Sequence, residues 1–308
     1  MVDRRADYAI ALAAEGEHAA ALELMKDAMQ IAPNWAAGWY QLGQIAGDAN
    51  DKSTARHAYS KVMSLDPKDR FGASLQIDLL RDRPIAERMP SAFVKTLFDQ
   101  YAKTFDASLV KSLGYQGPEM ILRSLLHAGR SQFQNTVDLG CGTGLMGAMI
   151  RPHTHWLAGY DISAPMLDQA RAKGIYDHLA QLDMSELSVE PQRFDLITAA
   201  DVFIYIGALE HTVSWAAASL APGGTFTFTV EEHFGPEDFI LRPSRRFAHS
   251  ARYVTRILEQ AGFMVETPHR ATLRNDRNAP VAGLVICAST ASQSQPRHQS
   301  DGEDLATV

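Results

Sequence analysis

The stretch Thr136-Val137-Asp138-Leu139-Gly140-Cys141-Gly142-Thr143-Gly144 decides how the rest of the chain is read. A short apolar strand ends in an acid and passes into a loop with glycines at alternate positions. Glycine is needed where the backbone turns with positive φ, or where a ligand meets the backbone with no Cβ in the way. Outward from this loop, short apolar segments alternate with helical ones. Strands are expected at 136–139, 156–160, 178–181, 194–199, 225–230, 263–267 and 281–288, with helices at 164–173, 208–220 and 251–261. Ser163 suits the N-cap of the first of these helices and Gly174 its stop. The alternation predicts a parallel sheet covered on both faces.

Acids recur where these strands end. Asp161 stands 23 residues after Asp138, at the end of the second strand, where a carboxylate can take both hydroxyls of a ribose. Asp183 follows the third strand, where an acid can accept from an adenine amino group, and it also reads as a helix N-cap. Asp201 follows the fourth strand, and Pro222-Gly223-Gly224 is expected to make the turn into the fifth.

Together these residues resemble the class I S-adenosylmethionine-dependent methyltransferases, over about residues 90–289 and on five motifs in the right order. The resemblance implies S-adenosylmethionine as cofactor, with Gly140, Gly142 and Gly144 against its methionyl part, Asp161 on the ribose and Asp183 on the adenine. Asp138, Cys141, Ile162, Met166, Met184 and Asp201 are expected in the same site. The segment Phe98-Asp99-Gln100-Tyr101-Ala102-Lys103-Thr104-Phe105-Asp106 is similar to the family's closing helix, so Tyr101 and Phe105 are lid candidates.

Gly142-Thr143-Gly144-Leu145-Met146-Gly147 also fits the GxGxxG spacing of a nicotinamide- or flavin-dinucleotide fold. Electrostatics disfavour that reading, because a pyrophosphate at this loop would face Asp138. A sulfonium cofactor of net positive charge suits a ring of aspartates. Cys141 reads as a small packing residue, since no base is indicated beside it.

The first third of the chain repeats at an offset of 34, with Ala21 on Ala55, Met25 on Tyr59 and Pro33 on Pro67. The second copy contains Trp39, Leu42, Gly43, Ala55, Tyr59 and Pro67 and resembles a tetratricopeptide repeat; the first has Arg5 where the tryptophan would be. Residues 71–80 are expected to form a capping helix, and Arg81-Asp82-Arg83-Pro84 a boundary. The whole chain resembles a bacterial group joining such repeats to a methyltransferase domain. The expected fold class is α/β: a Rossmann-like seven-stranded methyltransferase sheet with an N-terminal all-α tetratricopeptide-repeat module. Expected units are repeats at 1–82, linker and lid helices at 83–115, the methyltransferase domain at 116–289 and a disordered tail at 290–308.

Composition narrows the partners. In 308 residues, 29 Lys and Arg against 36 Asp and Glu give a net charge of −7, which disfavours a nucleic-acid partner. No apolar run approaches the ~18 residues of a membrane span, and the opening Met1-Val2-Asp3-Arg4-Arg5 leads into no signal-peptide core, so a cytoplasmic protein is expected. Two cysteines, Cys141 and Cys287, make neither a disulfide framework nor a four-ligand zinc site, and no metal is expected.

For the acceptor, residues 241–256 hold Arg242, Arg245, Arg246, Arg252, Arg256 and His249 and no acid. This reads either as a cap that grips an anionic group on a small-molecule acceptor or as a solvated loop and helix face whose arginines pair with acids elsewhere. Arg246, His249 and Tyr253, spaced by three and four, are expected to share one helix face toward substrate. His233, His249 and Asp201 are the candidate general bases. The repeats keep a methylated protein partner as an alternative. A non-catalytic cofactor-binding scaffold and a nicotinamide-dependent oxidoreductase are the others.

Overall fold

The computed structural model describes residues 2–81, 84–107, 114–189, 191–276 and 279–292. Five helices come first: α1 (Val2–Ala14), α2 (His18–Ile31), α3 (Ala36–Asp48), α4 (Lys52–Leu65) and α5 (Ala73–Leu79). They pack as consecutive hairpins, and small residues set how closely. Ala21 and Ala55 are fully buried, and a Cβ on Gly43 would lie 2.5 Å from the Tyr59 ring, so the missing side chain is what admits that ring. Helices α2 and α4 stop two residues short of Pro33 and Pro67. Asp51 caps α4 by accepting from the Thr54 N–H.

After α6 (Ser91–Tyr101) and α7 (Gly117–His127) the sheet begins. Its strands are β1 (Phe133–Leu139), β2 (Thr154–Asp161), β3 (His178–Gln181), β4 (Phe194–Ala199), β5 (Leu220–Glu232), β6 (Phe239–Leu241), β7 (Phe247–His249), β8 (Met264–Val265), β9 (His269–Asp276) and β10 (Ala279–Ser289). Four helices intervene: α8 (Leu145–Ile150), α9 (Ala164–Lys173), α10 (Glu210–Ser219) and α11 (Ala251–Gln260). The main path runs β3-β2-β1-β4-β5-β10-β8. Strands β1 to β5 pair in parallel, and β10 enters antiparallel between β5 and β8. The expected seven-stranded sheet is therefore present, with an all-helical region ahead of it. One apolar cluster packs Val213, Tyr253, Val254 and Leu258 of α10 and α11 on one sheet face. A second packs Ile121, Leu125, Met146 and Ile150 of α7 and α8 on the other.

Strand order reverses between β1 and β4, and a parallel sheet opens its ligand crevice at that switch, beyond the strands' C-terminal ends. The glycine loop follows β1, Asp161 ends β2 and Asp201 follows β4, so all three reach the crevice.

Several expectations change. Helix α9 spans the expected residues, with Ser163 accepting from the Met166 N–H and Gly174 left-handed at its end. Pro222-Gly223-Gly224 does not turn into the fifth strand but forms an irregularity inside β5, where the register against β4 shifts. The strand expected at 263–267 shrinks to two residues, because β10 offers it partners only at Ala288 and Ser289. Strands β6, β7 and β9 were not anticipated. Residues 108–113 of the expected linker and lid helices lie outside the described residues, as do Asp82, Arg83 and the tail from 293. No helix among the described residues is long and apolar enough to cross a membrane.

Candidate functional site

A cavity of about 470 Å³ lies at the switch point. The loop after β1 forms one wall. Gly140, Gly142 and Gly144 have φ of +61°, +54° and +91°, a region L side chains resist. Each serves a different purpose. A Cβ on Gly140 would lie 2.5 Å from Val202, one on Gly144 would meet Tyr176 at 3.0 Å, and one on Gly142 would meet nothing nearer than Phe105 at 3.9 Å. Gly142 is thus the glycine that keeps a space open.

Asp161 fixes this loop and faces the cavity. Its Oδ2 accepts from the Gly142 N–H and its Oδ1 from the Ser163 N–H, each at 2.8 Å. Burial raises its pKa against the pull of those two donors. Asp183 also lines the cavity. Burial opposes its ionisation, but hydrogen bonds from Ser91 and Ser185 and the Arg88 charge prevail, and its pKa lies below the usual carboxylate value. Cys141, Ile162, Met184 and Asp201 join the lining.

Three expected cofactor residues do not face the cavity among the described lining: Asp138, Gly144 and Met166. Asp138 is 1% exposed and lies beneath the loop, accepting from the Tyr176 hydroxyl at 2.8 Å and the Thr198 hydroxyl at 2.9 Å. Burial pushes its pKa up to about 7. Tyr176, absent from the sequence reading, therefore braces the loop from below, and Gly147 and Gly159 lack the side chains that would displace its ring.

The opposite wall comes from residues ahead of the sheet. Residues 85–90 are strapped to the loop after β4: the Met89 N–H donates to the Tyr205 carbonyl, and Glu87 O accepts from Gly207 and Ala208. The segment 91–106 then lies across the cleft. Asp99 accepts from the Ser163 hydroxyl at 2.7 Å, and Asp106 accepts from the Thr143 hydroxyl of the glycine loop. Tyr101, 50% exposed, and Phe105 line the cavity from this segment. Phe98 packs edge-on against Phe105 and Tyr205, with centroids 5.9 and 5.3 Å apart.

At the far end, Arg274 is 1% exposed and bridges Asp201 and Glu231; Glu231 also binds Arg242 at 2.6 Å. Asp201 sits at φ +59°, its N–H donating to the Thr229 hydroxyl. Tyr115 and Tyr205 line the same end, and burial is the main cause of their raised pKa values, Tyr205 reaching about 12. Arg274 and Glu231 were not foreseen, because nothing in their local sequence marks a pairing across 43 residues.

The expected substrate face does not form as a helix. Arg246 and His249 lie on the β6–β7 hairpin, and α11 starts only at Ala251, after Ser250 caps it. Pro243 and a left-handed Arg245 turn the chain between the two strands. Arg246 does line the cavity, paired with Asp276 at 2.7 Å. His249 is fully buried away from the lining, its Nε2–H donating to the carbonyls of Ile206 and Gly207, and burial lowers its pKa to about 4. Tyr253 is equally buried; its hydroxyl accepts from the Leu209 N–H and donates to Glu210. His233 also lies off the lining and donates to Glu237 at 3.0 Å. Of the three candidate bases, only Asp201 faces the cavity. No cluster of three or more potential metal ligands occurs among the described residues.

Comparison with known proteins agrees with this geometry. A family model described as "Methyltransferase domain" matches residues 114–267, half of the chain. The malonyl-[acyl-carrier protein] O-methyltransferase of Enterobacter lignolyticus is 30% identical over 99 residues, which are 32% of this chain and 39% of that protein. The ubiquinone biosynthesis O-methyltransferase of Coxiella burnetii is 27% identical over 106 residues, 33% of this chain and 45% of that one. The chain thus spans less than half the length of these two curated relatives. Among solved structures, the 1,6-didemethyltoxoflavin-N1-methyltransferase of Burkholderia thailandensis shares the fold, with a TM-score of 0.52 and 20% identity, over 69% of this chain and 94% of that one. With half its length matched, on the segment that builds the cradle, the chain belongs to the methyltransferase-domain family, whose methyl donor is S-adenosylmethionine.

Proposed function

We propose that the protein transfers a methyl group from S-adenosylmethionine to an oxygen of a small acceptor bearing an anionic group. The observation that carries this is the cavity's two-sided lining: a glycine and aspartate cradle on one wall, aromatic rings and arginines on the other. The cradle fits a cofactor with no phosphate and a net positive charge. Gly142 keeps the approach clear, and Asp161, Asp183 and Asp201 line the space. Those same acids oppose a pyrophosphate.

When bound, the cofactor supplies an electrophilic methyl group on a sulfonium, which leaves as a neutral thioether. The chain's task is to hold the nucleophile close, aligned and dry. Asp161 would take the ribose hydroxyls and Asp183 the adenine end, with Gly140, Cys141, Ile162 and Met184 as walls. Tyr101 and Phe105 would exclude water. Asp201 would receive the proton of an acceptor hydroxyl: Arg274 holds its Oδ1, and its Oδ2 has no hydrogen-bond partner among the described residues. The oxygen acceptor is supported by both curated relatives being named O-methyltransferases.

The helical region reads best as two tetratricopeptide-like repeats plus a cap within 1–82, supported by the 34-residue offset and the buried Ala21 and Ala55. Residues 83–115 would then be linker and lid, and 116–289 the methyltransferase domain.

Calorimetry against S-adenosylmethionine, S-adenosylhomocysteine and NADH tests the cofactor; selective binding of NADH would overturn the proposal. For the base, Asp201→Asn should lower kcat by roughly 10²–10⁴ at saturating cofactor. An unaltered kcat would remove Asp201 from that role.

A further inference from the structure

We propose that Arg245 recognises a carboxylate on an aromatic acceptor, and that the N-terminal helices set this selectivity by holding Arg245 through Tyr40. The inference rests on the methyl-transfer reading and specifies its acceptor. The arginines around the hairpin and α11 are mostly committed to acids. Arg242 binds Glu231, Arg246 binds Asp276, Arg252 and Arg256 bind Asp238, and Arg274 binds Asp201 and Glu231. Arg245 lines the cavity and has no ion-pair partner among the described residues. Arg88, also in the lining, has its charge set against Asp183.

The partners of Arg245 are neutral. Its Nη1 donates to the Tyr40 hydroxyl of α3 at 3.2 Å, and its guanidinium lies 5.3 Å from the centre of the Phe93 ring. Tyr40 is itself fixed: its hydroxyl accepts from Gln76 of α5 at 3.2 Å, and its ring packs against Tyr59 and Phe71. An arginine oriented by a phenol and a ring, with no carboxylate beside it, keeps donors and a full charge for an anion that arrives with the ligand. The fork geometry of guanidinium matches a carboxylate with two parallel bonds. Phe93 lies beside it, and Phe98 and Tyr205, packed edge-on, line the same cavity, which suits a flat ring on the same ligand. Tyr40 is a positioning residue here, and Arg245 a specificity-determining one.

The test uses the full chain saturated with S-adenosylhomocysteine and a probe panel of hydroxybenzoates and hydroxycinnamates, each paired with its carboxamide, with binding read by saturation-transfer NMR and calorimetry. Wild type should bind the acids at least ~10-fold more tightly than the amides, the value expected for one charge-assisted pair. Arg245→Gln should bring the ratio near one, Arg245→Lys should keep part of it, and Tyr40→Phe should reduce it severalfold, all with wild-type S-adenosylhomocysteine affinity. A purely structural pin would lower the melting temperature and leave the ratio alone. An acid-to-amide ratio near one in wild type, an unchanged ratio in Arg245→Gln or Tyr40→Phe, or no binding of any acid while S-adenosylhomocysteine binds would each overturn the proposal. Absence of S-adenosylhomocysteine binding itself would instead strike the methyl-transfer reading.

Discussion

Replacing Asp138 with Asn should expose two opposed pH dependences that the native protein hides. Asp138 is 1% exposed, and burial raises its pKa from 3.8 to about 7. The folded state therefore holds this proton more tightly than the unfolded chain does. The stability it contributes is fully present below the unfolded pKa of 3.8 and is lost as pH rises through about 7. At about 1.4 kcal/mol per tenfold change in proton affinity, that interval corresponds to about 4 kcal/mol. His249 acts in the opposite sense. It is buried and neutral, with its pKa lowered from 6.5 to about 4, so its contribution falls away as pH drops through that window, by about 3 kcal/mol. The two slopes overlap and largely cancel. In Asp138→Asn only the histidine slope remains, and the amide can still pair with the Tyr176 and Thr198 hydroxyls. The variant's unfolding free energy relative to wild type should therefore climb by about 4 kcal/mol between about pH 4 and pH 8. Urea unfolding followed by tryptophan fluorescence at closely spaced pH values measures this, and taking the difference cancels the other carboxylates. A difference flat to within about 1 kcal/mol would refute the argument that burial holds a proton on Asp138.

Gly140→Ala and Gly142→Ala should part company. The first puts a methyl 2.5 Å from Val202 and should cost melting temperature, whereas the second has open space, pays only about 1–2 kcal/mol of left-handed strain and should fold while losing S-adenosylhomocysteine affinity in calorimetry. Asp161→Ala should weaken that affinity by about 100-fold or more, as for two lost hydrogen bonds to a charged group, and Asp183→Ala by about 10-fold; wild-type binding by Asp161→Ala would end the ribose assignment. His249→Ala strands the Ile206 and Gly207 carbonyls and should destabilise by about 2–4 kcal/mol in denaturant, yet leave the pH profile of kcat unmoved.

The methyltransferase sheet was legible because its signals are local. Helix α9 carries its own cap and stop in Ser163 and Gly174, and β4 is a short, mostly apolar run. The left-handed turns of the glycine loop are legible for a similar reason, since alternate glycines mark a backbone with positive φ. Illegible features depended on distant partners. Asp138 looked like a ligand because it ends a strand, but its orientation is decided by Tyr176 and Thr198, 38 and 60 residues away. Asp99 and Asp106 sat inside the segment read as a lid, yet their latches to Ser163 and Thr143 follow only from the fold. The spacing of Arg246, His249 and Tyr253 imitated a helix because a short hairpin and the first turn of α11 adjoin there. Three-residue strands are too brief to show an alternation.

The cavity draws its two walls from separate stretches of chain: the loops after β1, β2 and β3 on one side, and residues 87–105 with the hairpin turn on the other. Such a division lets donor handling and ligand choice evolve at different speeds. On the proposed reading, a chimaera that imported only the helices and the hairpin from a homologue would change the acceptor and keep the methyl source, provided that Ser91 and Arg88, which hold Asp183, are retained.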